Sequence, residues 1–325
     1  MNKISTKCDI CGNNCEHQVF HIKEMMWGTG EEFKYAKCSF CGSLKLVDVI
    51  EDMSKFYPSG YYSYKTTASS RLKNYFKKAR AKATFGHNTL LGRLLIRLFG
   101  VTPFAYWIKD LKLKVTDPIL DVGCGSGFVL KDMSDVGFTN LLGIDPYIKS
   151  RKIQMNNITI LKNTIYQIDG IFKLIMFNHS LEHIYNPLST LKRANALLTP
   201  DGNLLIRIPV IDSYAWEKYQ TNWVQLDAPR HYFIPSNEGL RILASRAGLK
   251  VTKIKFDSNE FQFWGSEQYL KGIPLESRNS FIKNPKNSIF TKQEIKFFKD
   301  QAKKLNETGM GDQACYYLEK IENEK

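Results

Sequence analysis

The chain is short of acidic residues. Against 46 lysines and arginines it has 32 aspartates and glutamates, a net charge of +14. Between Lys65 and Arg97 there are nine basic residues and no acidic one. Long apolar runs are also missing. The best candidate, 90–107, is broken by Arg93, Arg97 and Pro103 and is too short for a confident membrane span. The first twenty residues carry no apolar secretory core, so export is not expected. The seven cysteines are odd in number and four have metal-type spacing, which argues against disulfides and for a reducing compartment. The expected location is cytoplasmic, with 65–107 a candidate for peripheral contact at the inner membrane face. At 325 residues the chain has room for one full α/β core and a small additional domain.

What is present is concentrated in 118–127, Pro-Ile-Leu-Asp-Val-Gly-Cys-Gly-Ser-Gly. Ile119 to Val122 reads as a buried strand that empties into a glycine turn. A second apolar run, Leu141 to Ile144, ends in Asp145 and Pro146, one strand–helix–strand unit later. A carboxylate there can accept two hydrogen bonds from ribose hydroxyls, so the site suits a nucleoside-bearing cofactor. The spacing is G-x-G-x-G with Phe128 in place of a last glycine, and no Lys-Ser/Thr pair follows, so neither a dinucleotide fingerprint nor a phosphate loop is present. Asp121 would repel a pyrophosphate and attract an ammonium group. S-adenosylmethionine carries an ammonium, a ribose and no phosphate.

Residues 119–127 and 141–146 closely resemble the first two motifs of class I S-adenosylmethionine-dependent methyltransferases. The resemblance implies that Asp121 and the turn Gly123, Cys124, Gly125 and Gly127 hold the methionine part, and that Asp145 with Pro146 holds the ribose. It extends to Asn163, after the strand 158–161, as a partner for the adenine amine. It also extends to Asn178 and His179, which follow the strand 172–177 in a segment that lines the cofactor. Further strands are expected at 202–210, 249–256 and 314–321, the last antiparallel, with a helix over 188–198, a turn over 199–202 and an insertion over 258–309. The expected fold is α/β, a Rossmann-like seven-stranded sheet with a small N-terminal zinc-binding domain. The expected divisions are 1–60 for zinc, 61–112 for a basic helical linker, 113–257 for the cofactor core and 258–325 for a helical insertion and final strand.

Cys8-x-x-Cys11 and Cys38-x-x-Cys41, each pair followed by glycine, form two knuckles suited to one structural Zn2+. Cys15, His17 and His21 lie near; one could replace a ligand, but they are read first as spare polar residues in a loop. Cys124 and Cys315 have no pairing signature. The order of cysteine knuckles, tyrosine cluster and methyltransferase core resembles bacterial methyltransferases of surface-polysaccharide and deoxysugar biosynthesis. That resemblance implies a sugar, nucleotide-sugar or lipid-linked saccharide acceptor, methylated on oxygen or carbon.

An acceptor hydroxyl needs a base. His183 and His231 are the candidates, with Asp227 or Arg230 orienting the acceptor and Tyr61, Tyr62 and Tyr64 stacking on it or bonding it. Trp223 and Trp264 could stack likewise or pack a core. The basic stretch could be a solvated helix leading into a core-packed one, a surface for a phosphorylated acceptor, or a membrane contact. Nucleic acid is not the expected partner, because that stretch has few interleaved aromatics and the Asn/Asp-Pro-Pro-Tyr signature is missing. An RNA methyltransferase with a zinc-bearing recognition domain and a non-catalytic binding module remain the alternatives.

Overall fold

The computed structural model describes residues 3–57, 71–86 and 89–322. Tyr61, Tyr62 and Tyr64 lie outside the described residues. The chain divides into two units, one of residues 1–56, 179–192 and 206–325 and one of residues 57–178 and 193–205.

The first unit begins with β1 (Lys3–Lys7), β2 (Asn14–Lys23), β3 (Glu32–Cys38) and β4 (Leu44–Leu46). These pair antiparallel in sequence order, so the stretch between the cysteine pairs is a hairpin. The second unit carries the helices α1 (Arg71–Thr84), α2 (Leu90–Phe99) and α3 (Pro103–Ile108). It continues with β5 (Ile119–Val122), α4 (Phe128–Asp135), β6 (Leu141–Ile144), β7 (Lys152–Met155), β8 (Ile158–Leu161) and β9 (Phe172–Asn178). Next come α5 (Pro187–Leu197) and β10 (Leu198–Pro209), whose residues are divided between the two units. The first unit is completed by α6 (Tyr214–Tyr219), β11 (Phe233–Ile234), α7 (Asn237–Arg246), β12 (Leu249–Phe256), α8 (Phe261–Leu270), α9 (Lys292–Thr308) and β13 (Gln313–Lys320). β11 adds to β4 antiparallel, making a five-stranded sheet.

β5 lies parallel between β6 and β9, and β8 is parallel to β6. Ile119, Leu120, Leu174 and Ile175 have no exposed surface. Each such side chain contributes about 1.5–3 kcal/mol by leaving water, which is why these short runs are almost wholly apolar. The larger sheet has the order β12-β13-β10-β9-β5-β6-β8-β7, eight strands where seven were expected. The extra strand is β7, antiparallel to β8 across the turn Asn156-Asn157, with Asn156 at φ 49°. Its signal was a two-residue Asn turn between short alternating runs, too little apolar surface to stand out alone. β13 is antiparallel to β12, as expected. The turn expected at 199–202 is instead the start of β10.

α2 is not packed all round. Gly92 and Leu95 are buried, while Leu90, Leu94 and Leu98 are exposed. In α1, Lys77 and Lys78 pair with Asp132 and Asp135 at 2.6 and 2.8 Å, so part of the basic excess is neutralised within the fold. Trp223 has no exposed surface and donates to Asp312 at 3.0 Å. Trp264 packs against Phe261 and Phe281. Both tryptophans are core residues. Among the described residues no helix is long and apolar enough to cross a membrane.

Candidate functional site

In the second unit the glycine turn is built by hydrogen bonds as well as by sequence. The N–H groups of Gly123 and Cys124 both donate to the Ile144 carbonyl, at 2.8 and 3.1 Å, and Gly127 donates to Cys124 at 2.9 Å. Gly123, Gly125 and Gly127 have φ of 75°, 52° and 74°. At Gly127 a side chain would also run into Ile160, so this position both starts α4 in a left-handed conformation and keeps the turn against the sheet. Asp121 belongs to β5, Asp145 and Asn163 follow β6 and β8, and Asn178 ends β9. All four therefore sit at the carboxyl ends of parallel strands, where open sheets bind ligands. Pro146 is exposed and Asn163 half-buried. His179 follows Asn178 at φ 50°.

The carboxylates set the electrostatics. Asp145 is buried and accepts from the N–H groups of Gly125 and Tyr147 at 3.0 and 2.8 Å. Asp121 is 2% exposed, and its Oδ1 has no hydrogen-bond partner among the described residues. Burial, and then the Asp145 charge, push its carboxyl up to about 7. A buried, under-satisfied acid of this kind fits a cationic ligand group and not a phosphate. Burial, Asp121 and Asp145 also push the Cys124 thiol far up, so it stays protonated. Tyr147, which sequence reasoning did not single out, stacks on Tyr57 with 5.7 Å between ring centres.

In the first unit the remaining candidates form a second cluster. His183 donates through Nδ1 to the Arg230 carbonyl, 3.0 Å away. Since a carbonyl only accepts, Nδ1 is the protonated nitrogen. His231 makes the same bond to the Gln225 carbonyl at 2.9 Å. The two rings meet edge to face at 4.7 Å. Burial, then the neighbouring His183, push His231 down to about 4, so it is neutral. Arg230 has no exposed surface; it donates to Asp227 at 2.6–3.0 Å, to Glu24 at 3.0 Å and to the Phe56 carbonyl at 3.4 Å. Its charge is balanced inside the fold. Glu24 was not foreseen. It lies 206 residues from Arg230, and no local pattern marks it.

The knuckles place four buried sulfurs within 4.8 Å of one another. Cys8 and Cys41 are 3.8 Å apart, Cys11 and Cys38 3.9 Å. Four thiolates about 2.3 Å from one zinc would be spaced by about 3.8 Å, so the donor set fits. Cys15 lies 3.4 Å from Cys38 as a fifth sulfur.

The sequence family described as "Methyltransferase domain" matches residues 88–254, just over half of the chain. The chain belongs to this family. It is an S-adenosylmethionine-dependent methyltransferase. Curated relatives of the methyltransferase include tRNA U34 carboxymethyltransferase of Aliarcobacter butzleri, 23% identical over 49% of this chain and 58% of the relative. The same name is carried by relatives in Campylobacter jejuni subsp. doylei, 26% identical over 47% and 61%, and in Campylobacter fetus subsp. fetus, 26% identical over 56% and 66%. The chain thus spans about three fifths of the length of these relatives. Among solved structures, the cyclopropane synthase MmaA2 of Mycobacterium tuberculosis overlays with a TM-score of 0.44 at 16% identity, covering 75% of this chain and 93% of that one.

These relatives overturn two expectations. A sugar or saccharide acceptor in polysaccharide biosynthesis, and the exclusion of nucleic acid, both stand against relatives named for a tRNA position. The sugar expectation rested on the order of cysteine knuckles, tyrosines and core. That order describes a scaffold and touches no acceptor.

Two outcomes are expected if the glycine turn holds S-adenosylmethionine. Asp145→Ala should weaken S-adenosylmethionine binding by about tenfold or more in calorimetry, through loss of a charged hydrogen-bond acceptor; unchanged affinity would refute the ribose role. Cofactor affinity should rise with pH, by up to about tenfold per unit, until Asp121 is ionised near pH 7, and then level off. The sign follows because the protonated acid must lose its proton before it can pair with the ammonium. In Asp121→Asn that rise should vanish.

Proposed function

We propose that this methyltransferase acts on RNA, with tRNA as the acceptor to test first. The observation that carries the reading is the name shared by its curated relatives, together with a net charge of +14, which suits a phosphate backbone. S-adenosylmethionine supplies an already activated methyl group, so the protein's task is alignment and removal of the acceptor's proton. In this reading Asp121 and the turn Gly123, Cys124, Gly125 and Gly127 take the amino-acid part of the cofactor, and Asp145 with Pro146 the ribose. Asn163 takes the adenine edge, and Asn178 and His179 line the site. Proton removal is assigned to the cluster of His183 and His231. Asp227 and Arg230 act as positioning residues, because they fix the backbone that carries His231.

The test is transfer of label from S-adenosylmethionine to purified tRNA, other RNA and nucleotide sugars in parallel. Label should enter tRNA, and tRNA affinity should fall by about tenfold or more between roughly 50 and 200 mM salt. Labelled sugar with unlabelled RNA, or salt-independent binding, would refute the reading.

The same proposal gives Cys8, Cys11, Cys38 and Cys41 one structural zinc, held by four protein thiolates and closed to substrate. Cys38→Ser should lower bound zinc by about one ion per chain and reduce the melting temperature. Wild-type protein that holds no zinc on these thiolates would remove the claim.

A further inference from the structure

We infer that Glu182, His183 and His231 form a second metal site, distinct from the cysteine cluster, for a borderline divalent ion such as zinc or ferrous iron. One nitrogen from each imidazole and one Glu182 oxygen lie within 4.8 Å of one another. Ligands of a tetrahedral ion are about 3.3 Å apart, so the three atoms would draw in by at most about 1.5 Å around one.

Three further features point the same way. Each histidine has its Nδ1 on a backbone carbonyl, His183 on Arg230 and His231 on Gln225. This is the outer-shell arrangement that fixes the tautomer of metal-bound imidazoles and directs the Nε2 lone pair to the ion. Second, Glu182 has no exposed surface. Its Oε1 is 3.2 Å from His179 Nδ1, whereas Oε2 is buried without a hydrogen-bond partner among the described residues. A buried carboxylate oxygen without a donor is costly, and a cation would remove that cost. Third, the other charges nearby are already committed. Asp227 lies 3.8 Å from His231 Nε2, but its carboxylate is held by Arg230, which is also bound by Glu24. One nitrogen of each imidazole and a carboxylate oxygen thus lie close together beside an ion pair that is already formed.

Two histidines and one carboxylate are a donor set for zinc or ferrous iron, and three protein ligands leave a coordination position open. His183 is only half-buried, so the cluster has a route to solvent. An open position of this type can lower the pKa of a bound oxygen. The two histidines would then be ligands, and their effect on turnover would run through the ion.

The experiment counts ions on the full chain, using zinc as the probe. Reduced protein is saturated with zinc, freed of excess by gel filtration and analysed for metal. Wild type should hold about two ions per chain, and Glu182→Gln, His183→Gln and His231→Gln about one. Cobalt replacement separates the sites: the strong sulfur-to-cobalt absorption of the cysteine cluster should persist in all three variants, while the weaker bands of the nitrogen–oxygen site should be lost. His183→Gln, the least buried, guards against a folding defect, and circular dichroism checks each variant. A wild type that saturates with metal on the sulfur cluster alone overturns the proposal. So does a folded His183→Gln protein that keeps the wild-type metal count and bands. Neither result depends on whether RNA is the acceptor.

Discussion

A guanidinium that cannot release its proton has been taken out of water at Arg230, and much of the first unit is arranged around that fact. Two carboxylates, Glu24 and Asp227, and the Phe56 carbonyl meet it. Removing one partner from a buried ion pair typically costs about 3–5 kcal/mol, so these contacts constrain the chain more than they stabilise it. Glu24 in turn accepts from the N–H groups of Trp27, Gly28 and Thr29 and thereby shapes the loop from β2 to β3. The Arg230 carbonyl receives His183, and the next carbonyl, of His231, receives the Tyr35 hydroxyl at 2.8 Å. Two residues further on, β11 joins β4. One buried charge thus fixes the backbone on which both candidate histidines depend.

The glycine turn shows the opposite arrangement. Around Arg230 charge is balanced by protein. At Asp121, burial and a neighbouring acid raise the cost of ionisation, and one carboxylate oxygen lacks a donor among the described residues. A cationic group placed there would relieve both penalties, and a phosphate would add to them. The glycines contribute by keeping side chains out of the turn, and the N–H groups of Gly125 and Tyr147 orient Asp145.

Much of the fold was legible because its signals are local. β5, β6, β8 and β12 appear where the apolar runs place them. The glycine turn and the two strand-end aspartates are contained within a few dozen residues. β7 was missed because an edge strand needs little apolar surface, and the strand character of 199–202 was hidden by Pro200 and Gly202. The acceptor was misread for a different reason. Tyrosine clusters and cysteine knuckles report how a scaffold is assembled, and positive charge spread along the sequence does not say which phosphates it would meet.

By itself the sequence marked most strands of the larger sheet, the glycine turn and the two cysteine knuckles. Each depends on backbone preferences and apolar periodicity over short spans. Only the tertiary structure decided that Glu24 would meet Arg230, that His183 would lie against His231, and that the Glu182 carboxylate would be buried beside them. Those contacts join segments far apart in the chain. Their energies come from desolvation and charge balance, which depend on the packed surroundings and leave no periodic trace in the residues themselves.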